Sequence, residues 1–166
     1  VRSGEPIEEM YDTEIMGSVW QQNIDAADKY YVPGEFTTFA AYEFTSVTVN
    51  DEDGSFAGGN LHRNVFFKGD APDRAFSTLD SPNPEDLWDW MDEQRAEGYE
   101  AIAIPHNSNV SDGQMFRLET YNGDPLDVAY ADQRMRNEPL VEVTQVKGTS
   151  ETHPALSPND EWADFE

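Results

Sequence analysis

The sequence predicts an α/β fold in which helices alternate with the strands of a largely parallel sheet. Three observations support this prediction. Segments with helical and strand-like patterns alternate along most of the chain, which is typical of parallel sheets with crossover helices. Tyr99–Pro105 is a short apolar segment of the kind that lies buried in a parallel sheet. The segment before it, Pro84–Gly98, carries clear signals for both ends of a helix.

The first half of the chain contains one predicted helix and two predicted strands. Apolar residues recur at helical spacing in Glu14–Tyr30, and Pro33-Gly34 ends that run. Glu35–Val49 is rich in phenylalanine, threonine, tyrosine and valine, which predicts a strand. Asn50–Asn60 is polar and glycine-rich, which predicts a loop, and Leu61–Lys68 is the second predicted strand.

The second half begins with the clearest helix of the chain. Asn83 is the expected N-cap, Pro84 suits the first helical position, and Gly98 is expected to end the helix. The remaining segments, in chain order, predict a strand at Tyr99–Pro105, a helix near Asp127–Asn137, a strand at Pro139–Lys147 and a loop at Gly148–Pro158.

Composition excludes several classes of protein. The chain has 166 residues, of which 37% are hydrophobic, so we expect one domain with a modest core. It contains no cysteine, which excludes a disulfide scaffold and thiolate chemistry. A formal net charge of −24 repels phosphate backbones, so no nucleic-acid partner is expected, and no apolar run is long enough for a membrane span. Adaptation to a salty environment explains the acidic surplus better than metal binding by most of the acids.

The three histidines of the chain stand beside predicted strands. His62 begins or lies within one strand, and His106 and His153 each follow another, where parallel α/β folds bind ligands. Glu43 lies in the apolar, aromatic segment Phe39–Thr45, where a carboxylate is costly to bury unless it is paired or bound to metal. The residues alone therefore indicate a metal site formed by Glu43, His62 and His106. A structural or surface role is the alternative for each of them.

Two basic residues lie near these histidines in a chain with few bases. Arg63 follows His62, and Lys147 precedes His153. Each is suited to hold an anionic substrate group, and charge balancing of neighbouring acids is an equally good explanation. Asp51–Asp53 resembles part of a calcium loop, but its glycine and closing glutamate are misplaced, so a solvated turn is expected. A calcium-stabilised surface module is the alternative for that segment.

Several longer motifs extend from about Glu14 to the end of the chain. They are Phe36–Phe39 with Tyr42-Glu43, His62–Val65, Leu87-Trp88, Pro105–Asn109 with Ser111–Gly113, Glu138–Glu142, and Lys147–Pro154. Together these motifs resemble a large bacterial family, catalogued as domain-of-unknown-function family 3604. Members of that family are several times longer than 166 residues, so the resemblance implies that this chain is a fragment of a longer protein.

That family in turn resembles the PHP (polymerase and histidinol phosphatase) superfamily, whose fold is a distorted (β/α)7 barrel that holds divalent metals and hydrolyses phosphoesters. The resemblance implies that residues 1–166 form a single partial PHP-like domain. Glu43 resembles the bridging glutamate of the superfamily, His62 its strand histidine, and His106 the histidine of a His-Pro-like motif in which Asn107 replaces proline. The early His-x-His and late Asp-x-His motifs are missing, so the ligand set is expected to be incomplete.

The remaining site residues lie in the motifs of the narrower family, and Lys147, Glu151 and His153 have no clear counterpart in the PHP superfamily. The expected roles are substrate binding by Arg63, Asn107 and Asn109, and catalysis by His153, Lys147 and Glu151, with His153 as the proton donor. Imidazole and carboxylate ligands suit zinc, manganese or iron.

The predicted function is metal-dependent hydrolysis of a phosphoester-like, anionic small molecule by the full-length protein, with an inactive fragment. The alternative is a non-catalytic binding or scaffold domain whose histidines are structural. Part of a barrel leaves sheet edges open. We therefore expect the isolated chain either to form homo-oligomers through those edges or to have rearranged its terminal segments.

Overall fold

The computed structural model describes residues 11–49, 56–151, 153–155, 157–159 and 161. In this part of the chain the helices are α1 (Thr13–Tyr30), α2 (Pro84–Glu97) and α3 (Val128–Asn137). The strands are β1 (Ala40–Phe44), β2 (Val47–Val49), β3 (Phe56–Asn60), β4 (Arg63–Lys68), β5 (Glu100–Pro105), β6 (Thr144–Gln145) and β7 (Gly148–Thr149). Two turns of 3-10 helix, Ser108–Val110 and Gln114–Phe116, follow β5.

The central sheet has the strand order β1-β4-β5, and both of its strand pairs are antiparallel. Tyr42 of β1 lies opposite Val65 of β4, which in turn lies opposite Ala103 of β5. The other described sheets, β2-β3 and β6-β7, are antiparallel pairs. The prediction of a largely parallel sheet forming part of a (β/α)7 barrel is therefore wrong. The described fold is a small mixed α/β fold with antiparallel sheets and no closed barrel.

The connection between β4 and β5 explains why the strand direction differs from the prediction. In a parallel crossover, one helix returns the chain to the starting end of the sheet. Here residues 69–83 already cross back to the end of the sheet where β4 begins. The hydrogen bond that the hydroxyl of Ser46, beyond the end of β1, donates to the carbonyl oxygen of Pro82 places residue 82 there. Helix α2 then crosses a second time, so β5 begins at Glu100, opposite Lys68 at the end of β4.

Helices α1 and α2 cover one face of the central sheet. Val65 and Phe67 of β4 point into this layer, where they meet Leu87 and Met91 of α2, and all four side chains are fully buried. Trp20 of α1 completes the layer, and its indole N–H donates to the carbonyl oxygen of Pro72 at 2.7 Å. Because side chains alternate along a strand, Glu43 and its neighbours on the opposite face lie outside this core.

The helix predictions are confirmed, most clearly for α2. The side chain of Asn83 accepts a hydrogen bond from the backbone N–H of Glu85 at 2.9 Å. Gly98 ends the helix in the left-handed conformation, with a φ of 106°, which only glycine adopts without strain. Asp12 and Asp127 cap α1 and α3 in the same way as Asn83. None of the described helices has the length and apolarity needed to cross a membrane.

Several strand and loop predictions change in the structure. Glu35–Val49 forms β1 and β2 instead of one strand, because the chain turns at the fully buried Ser46. The predicted loop Asn50–Asn60 contains β3, which pairs with β2. The predicted strand Pro139–Lys147 contributes only the two residues of β6. The calcium alternative at Asp51–Asp53 lies outside the described residues.

Asp92 joins α2 to α3 through a cluster of hydrogen bonds. Its carboxylate accepts from Nε of Arg136 at 3.0 Å, from Nη2 of Arg136 at 2.6 Å, and from Nδ2 of Asn137 at 3.1 Å. Partial burial raises the pKa of Asp92, but Arg136, Asn137 and Gln133 outweigh this effect and lower the pKa to about 2. The ionised form of the Asp92 carboxylate is therefore more stable in the folded protein than in the unfolded chain.

We expect Asp92→Asn to lower the free energy of unfolding by about 1 kcal/mol near neutral pH, after allowance for solvent screening. Because the folded pKa of Asp92 is depressed, its contribution is present above the ordinary value of 3.8 and is lost as the pH falls towards about 2. Urea unfolding of wild type and variant over this range measures the difference. A difference that stays constant down to the lower pH would contradict the electrostatic explanation.

Candidate metal centre

Glu43, His62 and His106 come together at one end of the central sheet. Strands β1 and β5 end at this edge, and the antiparallel strand β4 begins there. His62 precedes Arg63, His106 follows Pro105, and these two strand residues are paired. The backbone N–H of His106 donates to the carbonyl oxygen of His62 at 3.1 Å and extends the ladder. A parallel sheet would place the two histidines at opposite edges, so the antiparallel topology is what joins them.

The polar atoms of these three side chains, which we call the Glu43 cluster, have the spacing of metal ligands. Oε1 of Glu43 lies 3.1 Å from Nδ1 of His62, and Oε2 lies 3.4 Å from Nε2 of His106. One ligand atom from each residue lies within 4.8 Å of the other two. Ligands at about 2.0–2.1 Å from a tetrahedral zinc ion are about 3.3 Å apart. The two measured contacts, which involve different oxygens of Glu43, are each close to this spacing.

The two histidines of the Glu43 cluster are enclosed, whereas the carboxylate is partly open to solvent. The exposed fractions of the side chains are 41% for Glu43, 16% for His62 and 6% for His106. Nδ1 of His62 is buried without a hydrogen bond, although Oε1 of Glu43 is close to it. A buried polar atom without a partner is costly. A cation between these atoms would satisfy both, so the described residues fit a divalent metal.

Electrostatics favour the ligand forms that bind metal. Partial burial raises the pKa of Glu43, but the Thr45 hydroxyl, which donates to Oε1 at 2.7 Å, opposes it. Together with His62, His106 and Lys147, Thr45 holds the pKa of Glu43 below its usual range. Burial lowers the pKa of His62 below its usual range, with Glu43 opposing the shift. An ionised carboxylate and a neutral imidazole are the states that bind a divalent ion.

The β6-β7 hairpin brings Lys147 towards the same edge. The backbone N–H of Asn109 donates to Oγ of Ser150 at 3.1 Å, and its amide Nδ2 donates to the carbonyl oxygen of Lys147 at 3.4 Å. The side chain of Lys147 is exposed, and its charge contributes to lowering the pKa of both Glu43 and His62. Asn109 thus fixes the hairpin, and Lys147 is the predicted basic residue that the structure places near the cluster.

The backbone conformation of Asn107 excludes proline at the position after His106. Its φ of 63° is in the left-handed region, which asparagine tolerates and proline cannot adopt. The side chain is buried, and its Oδ1 accepts a hydrogen bond from Nε2 of Gln145 while Nδ2 has no partner. Asn107 therefore turns the chain directly after His106 and connects this turn to β6. Its predicted contact with a substrate is untested.

Glu151 and His153 lie in the exposed segment that follows β7. The backbone N–H of Glu151 donates to Oγ1 of Thr149 at 3.1 Å, and Nδ1 of His153 accepts from the backbone N–H of Ala155 at 3.1 Å. Both side chains are exposed, and no described contact joins either of them to the Glu43 cluster. Their catalytic roles remain predictions.

Arg63 lies on the other face of the sheet and is fully buried. Its Nε forms an ion pair with Oε1 of Glu138, Nη1 donates to the carbonyl oxygen of Leu61, and Nη2 lies 3.4 Å from the sulfur of Met115. The buried carboxylate of Glu138 neutralises this guanidinium. The structure therefore does not bring Arg63 to the Glu43 cluster, and these contacts give it a structural role.

Sequence reasoning missed the residues that support the ligands. Thr45 holds the carboxylate of Glu43, and Oδ1 of Asn60 accepts a hydrogen bond from the backbone N–H of His62 at 2.9 Å. Asn64 lies directly opposite Glu43 in the β1-β4 pair. Thr45 and Asn60 each lie two positions from a ligand. That short polar spacing beside an apolar strand is the signal that would have identified both.

Comparison with known proteins gives a family and no closer match. The family model described as Protein of unknown function (DUF3604) matches residues 3–166. Neither the curated proteins nor the solved structures include a match to this chain. The matched range contains all three residues of the Glu43 cluster, and the description of the family states no reaction.

Proposed function

The chain belongs to the DUF3604 family, and from the geometry of the Glu43 cluster we propose that it supplies metal-binding residues of a metal-dependent hydrolase. The observation that carries this proposal is the convergence of Glu43, His62 and His106, with ligand atoms within 4.8 Å of one another. Two imidazoles and one carboxylate, with a further position left for water or substrate, are typical of catalytic zinc sites. The same ligands suit manganese and iron.

The proposed reaction is hydrolysis of a phosphoester-like bond. Support for it comes from the resemblance of Glu43, His62 and His106 to the metal-binding glutamate and histidines of the PHP superfamily. The support lies in the site residues and not in the fold, since the described sheet is antiparallel. An anionic substrate also fits the exposed Lys147 beside an otherwise acidic chain.

The residues of the site have distinct proposed tasks. A divalent ion bound here would lower the pKa of a coordinated water and polarise the bond to be cleaved. Glu43, His62 and His106 hold that ion, and the hydroxyl of Thr45 fixes the carboxylate in the orientation that faces His62. The ammonium group of Lys147 binds an anionic part of the substrate.

His153 is the proposed proton donor to the leaving group. In the described structure its Nδ1 accepts a hydrogen bond from the backbone N–H of Ala155, which belongs to the neutral ring. To act as the donor, the ring would first take up a proton on Nδ1, give up this hydrogen bond, and then transfer the Nε2 proton to the leaving group, which returns the ring to its neutral form. Glu151, two residues earlier in the same exposed segment, is the proposed acidic residue on the substrate side.

Metal loading followed by an activity assay tests the proposed function. The purified chain is stripped with a chelator, loaded with zinc, manganese or iron(II), and assayed for bound metal and for hydrolysis of 4-nitrophenyl phosphate. We expect at least one equivalent of metal per chain. Glu43→Gln keeps the shape of the side chain and removes its charge, so we expect metal affinity to fall by about 100-fold or more, and any hydrolysis by the metal-loaded chain to fall with it.

Glu97→Gln is the matched control, because Glu97 is an exposed carboxylate at the end of α2, away from the Glu43 cluster. It should retain metal and activity. A wild-type chain that binds none of the three metals would overturn the hydrolase proposal, and one that binds metal equally well after Glu43→Gln would overturn the assigned ligands.

A non-catalytic binding domain is the second candidate, and one observation favours it. Apolar residues line an open cavity of about 370 Å³ beside α3; they include Phe116, Leu126, Met135, Leu140 and Val141. Exposed apolar surface of this kind is typical of interaction sites. The metal assay separates the two candidates, since a binding domain with structural histidines requires no metal.

A further inference from the structure

The face of the central sheet opposite the helices connects the Glu43 cluster to an apolar surface. Glu43, Asn64 and Ile104 are in register across the three strands, so their side chains form one row on this face. The next row, two residues along each strand, contains Phe66 and Ile102. Two residues of a strand span about 7 Å. The apolar rows therefore begin beside the cluster and lead directly away from it.

Ile104 of the first row, together with Phe66 and Ile102 of the next, lines an open, largely apolar cavity. Its volume is about 380 Å³, within the range of small-molecule sites. Its walls include Phe39, Phe66, Ile102 and Ile104, and the rings of Phe39 and Phe66 are in edge-on contact with centroids 6.3 Å apart. Phe39 is 52% exposed and the other three side chains are half-buried. None of the four belongs to the hydrophobic core under the helices.

Asn64 lies at the boundary between the polar and the apolar parts of this face. It is half-buried, and it stands between Glu43 and Ile104 in the strand register. No described residue accepts or donates a hydrogen bond at its side-chain amide. Such an amide is available to a polar group of a bound molecule that extends from the cluster over the apolar rows.

We propose that the substrate of the metal site is amphipathic: its metal-binding end lies at the Glu43 cluster and an apolar aryl or acyl group lies over Phe66, Ile102 and Ile104. This inference rests on the proposed function, because it uses the same metal site. The register of the sheet supports it, since the apolar rows continue from the row that contains Glu43.

The charge of the chain argues against a second copy as the occupant of this face. Each chain carries a formal net charge of −24, so two copies repel one another. The rim of the cavity adds Lys68 and Glu100, whose charges balance each other. A small neutral apolar group is not repelled by the charge of the chain. A cavity of about 380 Å³ also fits such a group.

A series of hydroxamic acids tests the proposal, because all of them chelate metal through the same group and differ only in their tails. Binding of acetohydroxamate, benzohydroxamate and octanohydroxamate to the zinc-loaded chain is measured by calorimetry. We expect the two longer compounds to bind at least about tenfold more tightly than acetohydroxamate, which requires burial of roughly 60 Å² of apolar surface. Phe66→Ala should remove most of this gain and leave acetohydroxamate binding unchanged.

Ile102→Ser provides a second variant if Phe66→Ala fails to fold. Leu118→Ser is the control, because Leu118 is 86% exposed and does not line this cavity. Equal affinities for all three hydroxamates would overturn the apolar site while leaving the metal centre intact. No binding of acetohydroxamate to the zinc-loaded chain would overturn the metal centre and this inference together. A dimer that Phe66→Ala dissociates, seen by light scattering, would assign the face to a second copy and also overturn the proposal.

Discussion

Replacing His106 with alanine is expected to weaken metal binding by at least about 100-fold. Removing a metal ligand reduces metal affinity more than removing a residue that only hydrogen-bonds to a ligand, which already costs about 10- to 100-fold. With zinc at about 100 times its dissociation constant, wild type should gain about 2.7 kcal/mol of stability. For a chain of this length that gain raises the melting temperature by about 5–10 °C. His106→Ala should lose the zinc-dependent shift almost completely.

The melting temperatures with and without zinc are compared within each variant, because His106 is buried and its removal will itself lower stability. His153→Ala is the matched control: His153 is exposed and its described contact is with the backbone of Ala155, not with the Glu43 cluster. It should keep the full zinc-dependent shift. If His106→Ala retains the shift and His153→Ala loses it, the metal lies elsewhere in the chain.

Local sequence signals predict the helices well because helix ends depend on single residues. Asn83 and Gly98 act through hydrogen bonds and backbone angles that involve only their own neighbours in the chain. The strand directions cannot be predicted in this way. They depend on the path of residues 69–83, which cross the sheet without regular secondary structure and carry no periodic pattern.

The metal cluster is predicted by an argument that the structure supports only in part. Glu43 is conspicuous because it is a carboxylate in an apolar strand. His106 is conspicuous because it directly follows a buried apolar strand. His62 is expected near the same edge, but it comes before its strand and reaches that edge because β4 runs antiparallel to β1 and β5. The three residues are therefore together for a reason that differs from the parallel topology expected.

Arg63 shows what a sequence cannot reveal about a charged residue. Its position beside His62 indicates a substrate contact, but the alternation of side chains along β4 turns it to the helix face, on the same side as Val65. Its partner, Glu138, is 75 positions away along the chain. Separation of this kind leaves no local pattern, so only tertiary structure identifies the pair.

Glu138→Ala is expected to destabilise the fold by about 3–5 kcal/mol, which is typical when one partner of a buried ion pair is removed. Glu138 is 8% exposed, and its carboxylate accepts hydrogen bonds from Nε of Arg63 and, at 2.9 Å, from the indole N–H of Trp88. Nη2 of Arg134 lies 3.2 Å from its other oxygen. Burial lowers the pKa of Arg63 while Glu138 raises it, so without Glu138 the guanidinium remains buried and unpaired.

Urea denaturation of Glu138→Ala measures this loss, and the double variant Arg63→Met/Glu138→Leu separates its causes. If the cost comes from the unpaired charge, replacing both partners by apolar residues of similar size should recover most of the stability. If it comes instead from the lost hydrogen bond to Trp88, the double variant should recover much less, because the introduced leucine side chain cannot accept the indole N–H. A double variant as unstable as Glu138→Ala would therefore show that the contacts of Glu138 with Trp88 and Arg134, and not its pairing with Arg63, account for the loss.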